Sequence, residues 1–195
     1  DECGEEFRPG DVCGVFGGGA AAAAGSARLE RGRVEFRKER VDLANAAAQI
    51  IGRMQEQTHH EGLTIESAIA PGTIIAADPI AVDTVLRNLL ENAAAALDGQ
   101  SGRITVSARS DDDEIEVTIT DTGVGFEPQD ARRLFDKFHR LDSGDRQSNG
   151  GTGLGLFIVD RIMHFEHGRA TAYSAGPGKG ATFSVIWPAA IPTST

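Results

Sequence analysis

Cysteine is nearly absent from this 195-residue chain: Cys3 and Cys13 are the only two, both close to the amino end. Two thiols remote from any periodic segment indicate neither a disulfide framework nor a Cys-x-x-Cys metal site, and such sparing use fits a reducing, cytoplasmic compartment. Positive charge is short as well. Nineteen Lys and Arg face 29 Asp and Glu, a net charge of -10, which opposes binding to nucleic acid or to an anionic lipid surface by simple repulsion. No run approaches the roughly 18 to 20 strongly apolar residues of a membrane span. The stretch from Val15 to Gly25 is mostly Gly and Ala, and the acidic start Asp1-Glu2 is the opposite of a secretory signal. An initiator Met is missing too, as expected of a fragment. What remains, 40% apolar and 25% charged, suffices for one core and therefore one folded domain with an appendage.

Residues 1–25, with Gly17-Gly18-Gly19 and Ala20 to Ala24, carry neither a helical stripe nor a strand alternation and are expected to be a linker or a non-native extension. Residues 26–40 are densely charged and are expected to be a connector. The folded domain is placed at 41–190, with 191–195 as a tail. Within it, Leu43, Ala46, Ala47, Ile50, Ile51 and Met54 recur on one helical face, which predicts a helix over 43–57. Two short strands follow at 63–69 and 73–77, joined by the turn pair Pro71-Gly72. Asp78 with Pro79 starts a second helix that runs to about Leu97. Ile104-x-Val106-x-Ala108 and Ile115-x-Val117-x-Ile119 alternate about an acidic turn and predict a hairpin. A long glycine-rich stretch from about Arg140 to Thr152 has the length of a functional lid, and an apolar helix over 154–166 follows it. Two last strands fall at 169–174 and 181–187. Helices between groups of strands predict an α/β (α+β) two-layer sandwich: a mixed, mostly antiparallel sheet on about three helices.

Three features carry possible chemistry. On the second helix, Val82, Val85, Leu86, Leu89, Ala93 and Leu97 make the buried stripe, while Asn88 and Asn92, four apart, lie on a line beside it. They are either exposed polar residues or, for Asn92, a neutral carbonyl oxygen offered to Mg²⁺, a hard cation that shares phosphate oxygens. Asp121 continues the inward face of Ile115, Val117 and Ile119 by period two. An inward carboxylate needs a donor, either backbone amides of its own turn or an amino group on a ligand. Gly123 and Gly125 allow close approach of backbone at a cleft wall. The run Gly150-Gly151-Thr152-Gly153-Leu154-Gly155 leads into a helix, whose free amides and positive dipole end favour a phosphate. It is neither a Walker loop, for want of Gly-Lys-Ser/Thr, nor a Gly-x-Gly-x-x-Gly dinucleotide turn. The Gly178-Lys179 pair fails as a Walker loop too, because Gly180 stands where Ser or Thr is needed.

Over residues 41–188 the chain resembles the ATP-binding domain shared by histidine kinases, gyrase, Hsp90 and the mismatch-repair ATPase MutL. Asn88-Leu-Leu-Glu91-Asn92-Ala is similar to that family's asparagine box, Asp121-Thr-Gly-Val-Gly125 to its first glycine box and Leu134-Phe-Asp-Lys-Phe138-His-Arg140 to its phenylalanine box. Gly151-Thr-Gly-Leu-Gly155-Leu is similar to the second glycine box and Gly178-Lys-Gly-Ala-Thr182-Phe to the terminal one. The resemblance implies ATP with Mg²⁺: Asp121 accepting from the adenine amino group and Asn92 ligating the metal. It implies a glycine-rich lid over the phosphates that includes Gly151, Thr152, Gly153, Leu154 and Gly155, with Gly123, Gly125 and Thr182 also lining the pocket. The hydrolytic relatives carry Glu where Asn88 stands, to activate water, and an amide is a poor base. Asn88 therefore points to phosphoryl transfer onto the histidine of a dimerisation domain, within a homodimeric parent kinase, and onward to a response-regulator receiver. That acceptor domain is not expected in this chain.

Ala95 and Ala96 stand where many histidine kinases place Lys and an aromatic residue; Lys137, Arg140 or Arg146 could supply the missing phosphate contact, or merely solvate the lid. The stretch Ala27 to Gly32 with Val41-Asp-Leu43 also resembles the junction after dimerisation helices. His59 and His60 fall in a loop, and His164 and His167 near a helix end. Two further functions stay open: a degenerate nucleotide-binding or partner-docking module, and a hydrolase that releases phosphate unaided.

Overall fold

A helix forms at Leu43–Gln57 because apolar residues recur at the spacing of one face: Leu43, Ala47, Ile50 and Ile51 are buried, and charged residues point outward. In the computed structural model, which describes residues 37–57, 62–111, 113–138 and 153–188, this is α1. The chain divides into the units Asp1–Arg37 and Lys38–Thr195. Of the first only Arg37 is among the described residues, so the architecture is that of the second. Asp42, the last residue of strand β1 (Glu39–Asp42), starts α1 by accepting a hydrogen bond from Asn45 N at 3.1 Å. This strand was not expected. Its four residues lie in or beside the charged stretch 26–40, and one antiparallel partner, β3 (Ile74–Ala77), holds it. Too few side chains are involved for an alternation to show.

The second helix, α2 (Pro79–Ala96), begins as its sequence dictates. Asp78 Oδ1 accepts from Ile80 N at 2.8 Å and Ala81 N at 3.3 Å, and Pro79 occupies the first turn. It ends where Asp98 and Gly99 both take positive φ. All six residues of the expected stripe are buried, joined by Ala81, Thr84 and Leu90.

The main sheet has five strands in the order β2-β4-β5-β7-β6. Strand β2 (Leu63–Ser67) runs parallel to β4 (Gly102–Ser110), and the remaining pairings are antiparallel. The expected hairpin is formed by β4 with β5 (Glu114–Asp121), with Ile104 opposite Asp121. Strands β6 (Arg169–Tyr173) and β7 (Ala181–Pro188) complete the sheet. The strands flanking Pro71-Gly72 differ from a simple adjacent pair: β2 joins the main sheet and β3 joins β1. The parallel partner of β2 lies beyond the whole of α2, a non-local choice that no local pattern records.

Every second residue of β5 and β7 is buried, Ile115, Val117 and Ile119 on one and Phe183, Val185 and Trp187 on the other. With α1, α2 and the shorter α3 (Gly155–Phe165) they make the single core of a two-layer α/β sandwich, mixed in strand direction and mostly antiparallel. The core, not the surface charge, carries the stability. Leu86→Ala, at a fully buried site, is expected to cost about 2–5 kcal/mol in denaturant unfolding. Arg53→Ala breaks a half-exposed ion pair with Asp83 and is expected to cost less than about 1 kcal/mol. Equal losses would contradict this division.

Candidate functional site

Strand β5 ends with its carboxylate on the buried face. Asp121 is 2% exposed. Its Oδ1 accepts from Gly123 N at 2.8 Å, inside its own turn, and from Ala181 N at 3.3 Å across the sheet. Its Oδ2 is buried without any hydrogen-bond partner. The two explanations left open for this residue therefore each describe one oxygen. Oδ1 is structural, and Oδ2 is an unsatisfied acceptor suited to an N–H donor from a ligand. Burial pushes the carboxyl above its ordinary value of 3.8, and the bonds from Gly123 and Ala181 pull it back only in part.

The glycines around it are set by protein packing. A Cβ on Gly123 would stand 2.4 Å from Ala96 O, and Val124 N already donates to that carbonyl at 2.9 Å. Gly125, at φ 60°, would place a Cβ 2.5 Å from Gly176 O. Gly180, at φ 70°, would place one 2.1 Å from Asp121 O. The turn after β7's partner strand, 174–180, is thereby sewn to 121–126: Gly180 N donates to Gly123 O at 3.0 Å and Gly178 N to Val124 O at 2.6 Å. Ser174 ties the two together, its buried hydroxyl accepting from Phe126 N at 3.2 Å and donating to Gly180 O at 2.7 Å. Ser174 was not singled out from sequence, and Gly180 and Ala181 entered only as members of the terminal glycine box, without a role of their own. Their glycine, small and hydroxyl identities gain meaning only once the two turns touch.

Thr182 is a correction. It was expected to line the pocket, but β7 alternates, so Ala181 shares the Asp121 face while Thr182 projects from the other face of the sheet. There its hydroxyl meets Thr120 Oγ1 at 3.1 Å.

Helix α2 forms the opposite wall. Asn88 and Asn92 are half-buried, one turn apart. Asn88 Nδ2 donates to Thr84 O at 2.7 Å, which leaves its Oδ1 aimed at α3, 3.0 Å from where a Cβ of Gly155 would stand. Ala96 at the end of α2 touches Gly123, so the same helix contacts the Asp121 turn and the start of α3. These contacts are about 12 Å apart along its axis. Gly153 has φ 68°, Leu154 precedes the first turn of α3, and among the described residues no side chain caps that turn. First-turn amides have no partner within a helix and, with its positive dipole end, favour an anion. Lys137 Nζ lies 5.3 Å from the Phe138 ring centroid and 6.0 Å from that of Phe157, which sits in the same first turn. Arg140, Arg146, Gly150, Gly151, Thr152, His59 and His60 lie outside the described residues. Ala95 is exposed and Ala96 is spent on packing.

Asp121 with one unpaired oxygen, the Asn88–Asn92 pair along α2 and the start of α3 are carried by the two layers of one α/β sandwich. The family model for histidine kinase-, DNA gyrase B- and HSP90-like ATPases matches residues 77–191, and the chain belongs to that family. It is 30% identical over 151 residues to the sensor-like histidine kinase SenX3 of Mycobacterium tuberculosis, covering 77% of this chain and 36% of the relative. It is 32% identical over 162 residues to the sensor histidine kinase MtrB of the same organism, covering 83% and 28%. The chain thus spans about a third of the length of these curated relatives. Among solved structures, the mycobacterial sensor histidine kinase MprB superposes with a TM-score of 0.67 at 26% identity, covering 78% of this chain and 97% of that one. Full-length ShkA, solved in complex with AMPPNP, gives 0.71 at 27% identity, covering 89% and 36%.

The raised native pKa of Asp121 means that the folded state holds its proton more tightly than the unfolded chain does. Ionised Asp121 therefore opposes folding progressively as pH rises from 3.8 through its native pKa. Asp121→Asn keeps an Oδ1 for Gly123 N and Ala181 N and removes the charge. It is expected to resist denaturant better than the parent at about pH 7.5, with the gap closing towards about pH 4. A variant less stable at both values would contradict the burial argument.

Proposed function

We propose that this chain is the ATP-binding catalytic part of a protein-histidine kinase. The observation that carries the reading is the buried, unpaired Oδ2 of Asp121, an acceptor left over once Oδ1 is bonded and suited to a donor such as the adenine amino group. Lys137 and the first turn of α3 attract the phosphates, with Arg140 and the lid residues Gly151, Thr152, Gly153, Leu154 and Gly155 covering them. Asn92 offers its side-chain carbonyl to Mg²⁺, which neutralises charge on the phosphate oxygens when bound. Gly123 and Gly125 shape the pocket from behind by keeping the Asp121 turn tight.

Asn88 decides the reaction class. Its amide is neither acid nor base near neutral pH, and its Nδ2 is already committed to Thr84 O. Water activation is thus missing from this wall, and catalysis reduces to positioning and electrostatics with an acceptor brought by a partner. That partner is the phosphoacceptor histidine on a dimerisation domain of a homodimeric parent, reached through the connector 26–40, with 1–25 a linker or non-native extension. A response-regulator receiver domain takes the phosphoryl group next. Among the described residues no helix is long and apolar enough to cross a membrane. We place the chain in the cytoplasm, whether or not its parent is anchored, with no nucleic-acid partner.

The exposed Ala95 supports a second reading, a nucleotide-binding or docking module without transfer. Adding a helical-hairpin acceptor domain in trans with labelled ATP separates the two. The parent chain is expected to label the hairpin and to release little phosphate alone. Asp121→Asn is expected to weaken ATP binding by about 10- to 100-fold, the worth of one hydrogen bond to a charged acceptor, and Asn92→Ala to lower transfer. Transfer that survives both substitutions would sink the site, ATP binding without transfer would favour the module, and steady phosphate release without the hairpin would favour a hydrolase.

A further inference from the structure

Glu166 closes the carboxyl end of α3 and is 1% exposed. Its Oε1 accepts from Asp78 N at 3.2 Å, while Oε2 is buried with no hydrogen-bond partner. Asp78 is itself 3% exposed and spends Oδ1 on capping α2. Burial raises the Glu166 pKa most; the neighbouring Asp78 carboxylate adds to the rise, against the Asp78 amide and the charges of Lys38 and His167. Two carboxyl groups buried side by side are a poor way to hold a core together, and an apolar side chain of the same length would fold more stably. Packing alone does not explain a glutamate here.

Its position does. Helices α2 and α3 run antiparallel and pack along their length, with a contact of particular interest towards each end. Asn88 meets Gly155 at one, and Asp78 meets Glu166 at the other. Asp78 and Asn88 are separated by about 15 Å of helical rise, and Gly155 and Glu166 by about 16 Å. The two contacts therefore lie in register, and a slip of α3 along α2 at one end must appear at the other. The Asp121 pocket is held separately, by β5, β7 and the turn 174–180, none of which bonds to Glu166 in the described structure.

We propose that Glu166 is a positioning residue for the phosphate side of the nucleotide site: its bond from the Asp78 amide sets the register of α3 on α2, and hence where the uncapped first turn of α3 stands relative to Asn88 and Asn92. This rests on the nucleotide-binding reading above, and it adds a residue that touches no ligand. It also explains the tolerated cost, since a polar tie is directional where an apolar contact would let the helix slide.

The test uses the whole chain with Glu166→Met, which keeps length and volume, and Glu166→Gln, which keeps the acceptor. Calorimetry compares Mg-ATP with adenosine, and hydrogen exchange follows the amides of residues 158–161, the first in α3 that bond back along the helix, without nucleotide. Glu166→Met is expected to bind Mg-ATP about fivefold or more weakly, the scale of one lost hydrogen bond. Adenosine affinity should stay within about twofold, because the base pocket is held elsewhere. Exchange at residues 158–161 should quicken. Glu166→Gln should restore ATP affinity and slow exchange. Equal losses for ATP and adenosine, or unchanged ATP affinity and exchange in Glu166→Met, would overturn the proposal. A parent chain that binds neither ligand would overturn the nucleotide reading instead, and the exchange comparison would still decide whether Glu166 holds the helix.

Discussion

Asp121 carries two demands on one side chain, and much of the surrounding structure follows from meeting them. Burying a carboxylate is costly unless it is bonded, so Oδ1 takes two backbone amides, one from its own turn and one from β7. That pulls the turn 121–126 and the start of β7 into a space with no room for side chains. Gly123, Gly125 and Gly180 are glycine because backbone atoms occupy the places where their Cβ atoms would stand. Ser174 then closes the arrangement with a single hydroxyl shared among neighbouring amides and carbonyls. The second oxygen is left over, a local cost that the proposed recognition of a ligand would offset.

The proposed nucleotide site has two halves with different mechanical origins. The base half belongs to the sheet, fixed by strand register between β5 and β7 and by the interlocked turns. The phosphate half belongs to the helices, and its geometry depends on how α3 lies along α2. Helix α2 links the halves, because Ala96 abuts one and Asn88 the other. A sheet register cannot shift without breaking a ladder of hydrogen bonds and turning every side chain over, whereas a helix pair can slide by small steps. A polar tie such as Glu166 to Asp78 therefore belongs on the helical half. Both buried carboxylates with an unpaired oxygen and a raised pKa, Asp121 and Glu166, lie on this framework.

Long periodic elements were legible in the residues: α1 and the α2 stripe in full, the β4–β5 hairpin, and the inward face of β5 that carries Asp121. Each rests on a repeat within one element, which depends on local geometry alone. Strand β1 was not legible, since four largely charged residues held by one edge partner leave no pattern. The Thr182 expectation failed for a related reason. The resemblance named a residue near the start of β7, but a shift of one residue along a strand reverses the face, and only the pairing with Thr120 shows that Thr182 lies on the face opposite Asp121.

By itself the sequence determined that this chain forms an α/β sandwich with a carboxylate aimed into its core, an amide pair along its second helix and a glycine-rich approach to its third. Those are properties of periodicity and of residue chemistry. The tertiary structure alone decided that one oxygen of Asp121 is spent and the other free, that the glycines answer to backbone neighbours, that Ala181 rather than Thr182 shares the pocket face, and that Glu166 meets Asp78. Each of these is a contact between segments distant along the chain, created by packing and carried by no local pattern.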